Sequence, residues 1–122
     1  MNLTQLAFTQ HPRPPQRELR QRGVFDSGDR LFGHVASIYV DDDGTFRFVD
    51  VTMGGWMGFG KKHHLVPVEA IAEEEPGSIT LTVVQQTVQS APMLDDPDAA
   101  PDEGLQRAAR EHCGLGADPS EP

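Results

Sequence analysis

Cysteine, basic residues and long apolar runs are the scarce ingredients of this 122-residue chain. It has one Cys, which excludes an internal disulfide and a cysteine-based zinc cluster and fits a reducing compartment. Lys and Arg number 10 against 19 Asp and Glu, for a net charge of −9. That balance argues against broad, nonspecific DNA binding, which needs a positive surface. No apolar run approaches the roughly 18 residues of a membrane span. Hydrophobic residues make up 37%. Gly and Pro are plentiful, at 12 and 10, and they interrupt the chain too often for a bundle of long helices. Met1 to Phe8 lacks the basic start and sustained hydrophobic run of a secretory signal, so a cytoplasmic location is expected.

The charge is unevenly spread. Residues 1–23 carry Arg13, Arg17, Arg20 and Arg22 against Glu18 alone. His11-Pro12-Arg13-Pro14-Pro15 resists both helix and sheet, because proline fixes φ and lacks a donor. Residues 24–93 hold nearly all the β-branched and aromatic side chains, and residues 94–122 are again acidic. The division predicted is a disordered basic Pro/Arg-rich arm over 1–20, a folded domain over 21–93 and an acidic tail over 94–122. A fragment of residues 21–93 is expected to fold alone, with the thin margin of a small domain.

The middle segment reads as short strands. Leu31 to Val40 ends at Asp41-Asp42-Asp43-Gly44, and Thr45 to Val51 then alternates, with Phe46, Phe48 and Asp50 on one face and Arg47, Val49 and Val51 on the other. An Asp-Gly pair between apolar strands marks a hairpin, because the turn needs positive φ. Gly54, Gly55, Gly58 and Gly60 mark a loop. His64 to Val68 forms a short strand stopped near Pro67, and a turn at Glu75-Pro76-Gly77-Ser78 precedes Ile79 to Val84. Strands this short, spaced by turns, predict a mostly β fold, a small antiparallel barrel or sandwich. In the tail, Asp102 can cap a helix near 103–113 that places Leu105, Ala108, Ala109 and His112 on one face, with Gly114 to close it. So short a helix is marginal alone and needs docking.

On these stretches the chain resembles the PRC-barrel family. They are Leu31-Phe32-Gly33-His34-Val35-Ala36-Ser37-Ile38-Tyr39-Val40-Asp41, Phe46 to Val51, Leu65-Val66-Pro67-Val68 and Val88 to Pro92. This is the small β-barrel of the reaction-centre H subunit's cytoplasmic part and of a ribosome-maturation factor's C-terminal half. The tail Glu103 to Leu115 is similar to the helix ending in Tyr-Gly-Leu that follows many stand-alone bacterial members, with Cys113 in place of Tyr. The resemblance spans roughly residues 21 to 116 and implies a small antiparallel barrel serving as an adapter or assembly module without a shared catalytic residue. The companion domains of both relatives are missing here, so neither specific role transfers.

Patterns that could carry chemistry are few. Gly55-Trp56-Met57-Gly58-Phe59-Gly60-Lys61-Lys62 matches the phosphate-loop pattern except at its last position, where Lys62 lacks the hydroxyl for Mg²⁺. The next residues, His63-His64-Leu65-Val66-Pro67, read as strand and not as the helix such a loop must open. His63 and His64, adjacent on a strand, face opposite ways and cannot easily share one ion. Asp41-Asp42-Asp43-Gly44 departs from a Ca²⁺ loop, which needs Gly at its sixth position and Glu at its twelfth, where Phe46 and Thr52 stand. Ser27, Ser37, Ser78, Ser90 and Ser120 lack the strand–elbow–helix context of a nucleophile, and Cys113 lies in a polar tail. Glu73-Glu74-Glu75 reads as a solvated edge.

The expectation is therefore a noncatalytic interaction or adapter module, with no catalytic, cofactor or metal residue. Trp56, Met57 and Phe59 either fold back onto the barrel or, with Lys61 and Lys62 at their rim, form a partner-contact patch. A protein partner is expected and a homo-oligomer is compatible. Arg13, Arg17, Arg20 and Arg22 could touch RNA phosphates, a peripheral membrane surface or the chain's own acidic tail. Two alternatives stand beside the adapter: a ribosome- or RNA-associated factor using the arm, and a small-ligand binder or enzyme using the Gly-rich loop.

Overall fold

The computed structural model describes residues 2–5, 22–53, 62–94 and 100–115. Its strands are β1 (Thr4–Gln5), β2 (Gly23–Phe25), β3 (Leu31–Val40), β4 (Phe46–Met53), β5 (Lys62–Pro67), β6 (Ile71–Glu75) and β7 (Ser78–Leu81). A 3₁₀ turn, Val68–Ala70, joins β5 to β6, and two helices come after β7, α1 (Gln85–Gln89) and α2 (Glu103–His112). The strands form one curled sheet in the order β5-β4-β3-β2-β7-β6, with β1 also paired to β3. All pairs are antiparallel except β2 with β7, which run parallel, Val24 lying opposite Ile79. The fully antiparallel barrel expected from the turn signals is corrected at that one seam.

The Asp-Gly hairpin forms as expected. Gly44 sits at φ 80°. The Asp41 carboxylate accepts from the amides of Asp43 (2.9 Å) and Thr45 (3.0 Å), and from Arg47 Nε at 2.8 Å. Burial works against the charge of Asp41, but these donors outweigh it and hold its pKa below the usual value. Gly44→Val is expected to lower stability by about 1 kcal/mol or more, since a β-branched residue is poorly tolerated at positive φ. A urea melt with an unchanged midpoint would mean that the turn adapts. Gly77, at φ 87°, turns the β6–β7 hairpin in the same way.

Beyond that turn, simple alternation fails. The β3–β4 register shifts between Tyr39 and Val40, so that Phe48 opposes Tyr39 while Phe46 opposes Val40. Arg47 is the extra residue of a β-bulge, which reverses the side-chain order locally. Phe46 and Phe48 therefore belong to different clusters instead of the single face expected. Phe46 packs on the main core of Val24, Val35, Ile38, Val49, Val51, Val66, Ile79 and Leu81. Phe48 joins Tyr39, Leu65, Leu94 and Ala109 on the opposite face. A further shift at Ala36 in β3, one in β2–β3 and one at Ala72 in β6 bend the sheet in the same manner.

Both ends of the chain contribute to the second cluster. Leu3 packs against it, and Thr4 and Gln5 pair with Val40 and Tyr39. The arm expected over residues 1–20 thus begins with an ordered strand. Helix α2 starts as predicted, with Asp102 Oδ1 accepting from the Leu105 amide at 2.8 Å. It ends in a Schellman motif around Gly114, whose φ is 79°. The Gly114 amide donates to the Glu111 carbonyl, and the Leu115 amide to that of Arg110. The buried face runs through Gln106, Ala109 and Arg110, one position beyond the face predicted. Arg110 donates to Glu69 beside the 3₁₀ turn, and His112 Nε2 lies 2.7 Å from the Thr87 carbonyl oxygen. The helix docks on β5 and packs Leu105 and Ala109 against Phe48 and Leu65.

Candidate functional site

The only expected partner-contact residue within the described structure is Lys62, exposed at the start of β5. Trp56, Met57, Phe59 and Lys61 lie outside the described residues, as do Arg13, Arg17 and Arg20. What can be built is the frame holding the Gly-rich segment. The β4–β5 ladder runs without interruption from Phe48 opposite Pro67 to Met53 opposite Lys62. Val49, Val51 and Met53 of β4 pack into the main core, while Phe48 alone turns to the second cluster at the far end of the ladder. Residues 54–61 therefore leave and rejoin the sheet at one rung. On the other flank of that rung stands Gly33, opposite Met53. A Cβ built on Gly33 would lie 2.4 Å from the Thr52 carbonyl oxygen, so glycine is required for β3 and β4 to approach this closely.

Below the rung, the outward face presents a row of polar groups. His34, Thr52 and His63 share one register row, and Ser37, Asp50 and Leu65 share the next. Thr52 Oγ1 donates to the His34 carbonyl oxygen at 3.2 Å, and Gln5 Nε2 donates to Ser37 Oγ at 2.9 Å. Asp50 is fully buried, and its Oδ2 lies 2.6 Å from His63 Nδ1. Burial raises the Asp50 pKa above the usual carboxylate value despite the opposing effect of His63. Asp50 Oδ1 has no hydrogen-bond partner among the described residues. The sequence carried one signal for this pair: a carboxylate in an alternating run after Phe46 and Phe48.

His63 and His64 do face opposite sides of β5, the first toward Asp50 and the second, 1% exposed, toward the core. Among the described residues no three His, Cys, Asp or Glu side chains cluster for a metal ion. Asp41 is engaged by its own turn. Cys113 is half-buried against the main core, and burial pushes its thiol pKa up, away from a reactive thiolate. Arg22, counted with the arm, is only 5% exposed and lies 3.9 Å from Glu74. Its backbone carbonyl accepts from the Val35 amide. Asp26, which no motif singled out, is 4% exposed. It accepts from the Arg30, Gly28 and Gln85 amides, and these bonds, led by Arg30, outweigh burial and lower its pKa. Among the described residues, no helix is long and apolar enough to cross a membrane.

A bulged sheet curled around one apolar core and closed by short turns defines a small β-barrel domain. The PRC-barrel domain model matches residues 15–87, more than half of the chain, and the chain belongs to that family. No curated protein matches it as a relative.

Proposed function

We propose that this protein is a noncatalytic interaction module of the adapter or assembly type, contacting a protein partner through the segment Gly54 to Lys62. The observation that carries the reading is the closed rung of Met53 and Lys62 at the end of the uninterrupted β4–β5 ladder, with Met53 buried in the main core. It is a rigid base for a segment whose sequence offers Trp56, Met57 and Phe59 with two lysines, and aromatic side chains commonly dominate interface energy. Met93, 46% exposed and bridged to His64, stands beside that base. The barrel's buried carboxylates support a structural use of its ionisable groups: Asp26 organises a loop and Asp50 pairs with His63. The RNA-associated alternative draws only on the arm, and Arg22 is built into the sheet.

The test is capture of partners by the immobilised full chain, with and without nuclease, beside thermal melts. Protein partners are expected to survive nuclease. Trp56→Ala is expected to weaken their binding by about 2 kcal/mol with little change in Tm. A stability loss of about 3 to 5 kcal/mol would instead place Trp56 in the core and overturn the interface. Loss of every partner on nuclease treatment would favour the RNA reading.

A further inference from the structure

The histidine on the inner side of β5 has no part in that reading. His64 is 1% exposed, with Val51 opposite and Val66 two residues along the same face. Its Nδ1 lies 3.1 Å from the Ala91 carbonyl oxygen. A carbonyl only accepts, so in the neutral ring Nδ1 carries the proton and Nε2 presents a lone pair. Nε2 has no hydrogen-bond partner among the described residues. A second proton would create a buried cation with one N–H facing no acceptor, and both the charge and the unmet donor are costly in an apolar interior.

The charges around the ring act in the same direction. Burial is the main influence and lowers the His64 pKa, Lys62 and His63 on its own strand add to this, and only the Ala91 carbonyl opposes. β4 places Val51 across from the ring and holds Asp50 on the other face, bound to His63. Residues 91–94 and α1 carry no ionisable side chain. Helix α2 packs Leu105 and Ala109 on the far face, with Arg110 engaged by Glu69 and His112 by Thr87. Its C-cap Cys113, a thiol whose pKa burial raises and which stays neutral, reaches the main core.

Water can reach this ring most cheaply from one side. The β4–β5 ladder is continuous over six registered pairs. The segment on the opposite edge of β5 is held by the single bridge of His64 with Met93, the Leu94 amide donating to the His63 carbonyl at 2.9 Å, and the His64–Ala91 bond itself. That segment also carries Leu94 into the second cluster and leads on to α2. We infer that His64 is an acid-sensitive latch: protonation of its ring lifts residues 91–94 from the β5 edge and loosens the docked helix α2.

Linkage fixes the sign. A histidine whose folded pKa lies below its unfolded value of about 6.5 stabilises the fold above that value, and this is lost as pH falls from there through the folded pKa. Asp50, with its raised pKa, acts in the opposite sense and is the same in wild type and in a position-64 variant. Hydrogen exchange of the full chain, corrected for intrinsic rates, is measured from about pH 7.5 down to about 5. The Leu94 amide and the amides of α2 are expected to lose protection, approaching tenfold per pH unit between about 6.5 and the folded pKa and levelling off below it, while the β3–β4 amides hold. His64→Gln keeps a donor for the Ala91 carbonyl but takes up no proton, and its profile is expected to be flat. Unchanged protection in wild type, or the same loss in His64→Gln, overturns the latch. Should the glutamine variant fail to fold, the ring resonances of wild-type His64 decide. A midpoint below about 6.5 that coincides with the opening supports the latch, and one at or above the ordinary value overturns it.

Discussion

Alanine at position 33 is expected to lower stability by about 3 kcal/mol or more, near the upper end of the usual cost of overpacking. The added Cβ would sit 2.4 Å from the Thr52 carbonyl oxygen, with Val51 Cγ1 at 3.3 Å and Met53 Cγ at 3.4 Å. The first contact is with backbone. That oxygen cannot retreat without displacing β4, which is tied to β5 over its last six residues. A thermal melt would read this as a Tm lower by on the order of 15 °C for a domain of this size. A Tm within about two degrees of wild type would show that β3 and β4 can part at this rung, and the rigid frame proposed for residues 54–61 would lose its basis.

Ending the chain at Met93 is expected to cost on the order of 3 kcal/mol, while the main core still forms. The loss lies in the second cluster. Leu94 is 6% exposed and Ala109 fully buried, and burial of one Leu side chain alone contributes about 1.5 to 3 kcal/mol. Without Leu94, Leu105 and Ala109, the side chains of Tyr39, Phe48 and Leu65 lose their cover on that face. Equilibrium urea unfolding of the full chain and of the chain ending at Met93 gives the difference directly. Equal midpoints would show that α2 adds nothing to the barrel, and the cooperative unit would then end at Met93. Loss of the β signal altogether would make the two clusters inseparable.

Features written in neighbouring residues were legible in the sequence. Asp43-Gly44 and Pro76-Gly77 each name a turn because the required φ is a property of glycine itself. Asp102 and Gly114 mark the two ends of α2 for the same local reason. Features that depend on distant partners were not. The cap of α1 illustrates this: Val84 has no capping side chain, and the Gln85 amide is met by Asp26 Oδ2, 59 residues away. The bulge at Arg47 leaves no compositional trace, so Phe46 and Phe48 read as one face. At the site, alternation placed His63 and His64 on opposite sides of β5. The Asp50–His63 pair needed the β4–β5 register, which no single strand encodes.

The parallel seam between β2 and β7 bears on the order in which the molecule assembles. The hairpins β3–β4 and β6–β7 join residues close along the chain and can close early at small entropic cost. Gly23 to Phe25 and Ser78 to Thr80 are the strand partners most distant in sequence, so most of the chain must be organised before they meet. Until then the outer edge of β2 and the β7 edge of the β6–β7 hairpin stay unpaired and open to other chains. The interval before the seam closes is therefore when this acidic chain is most exposed to mispairing, and its repulsive charge of −9 works against association during that interval.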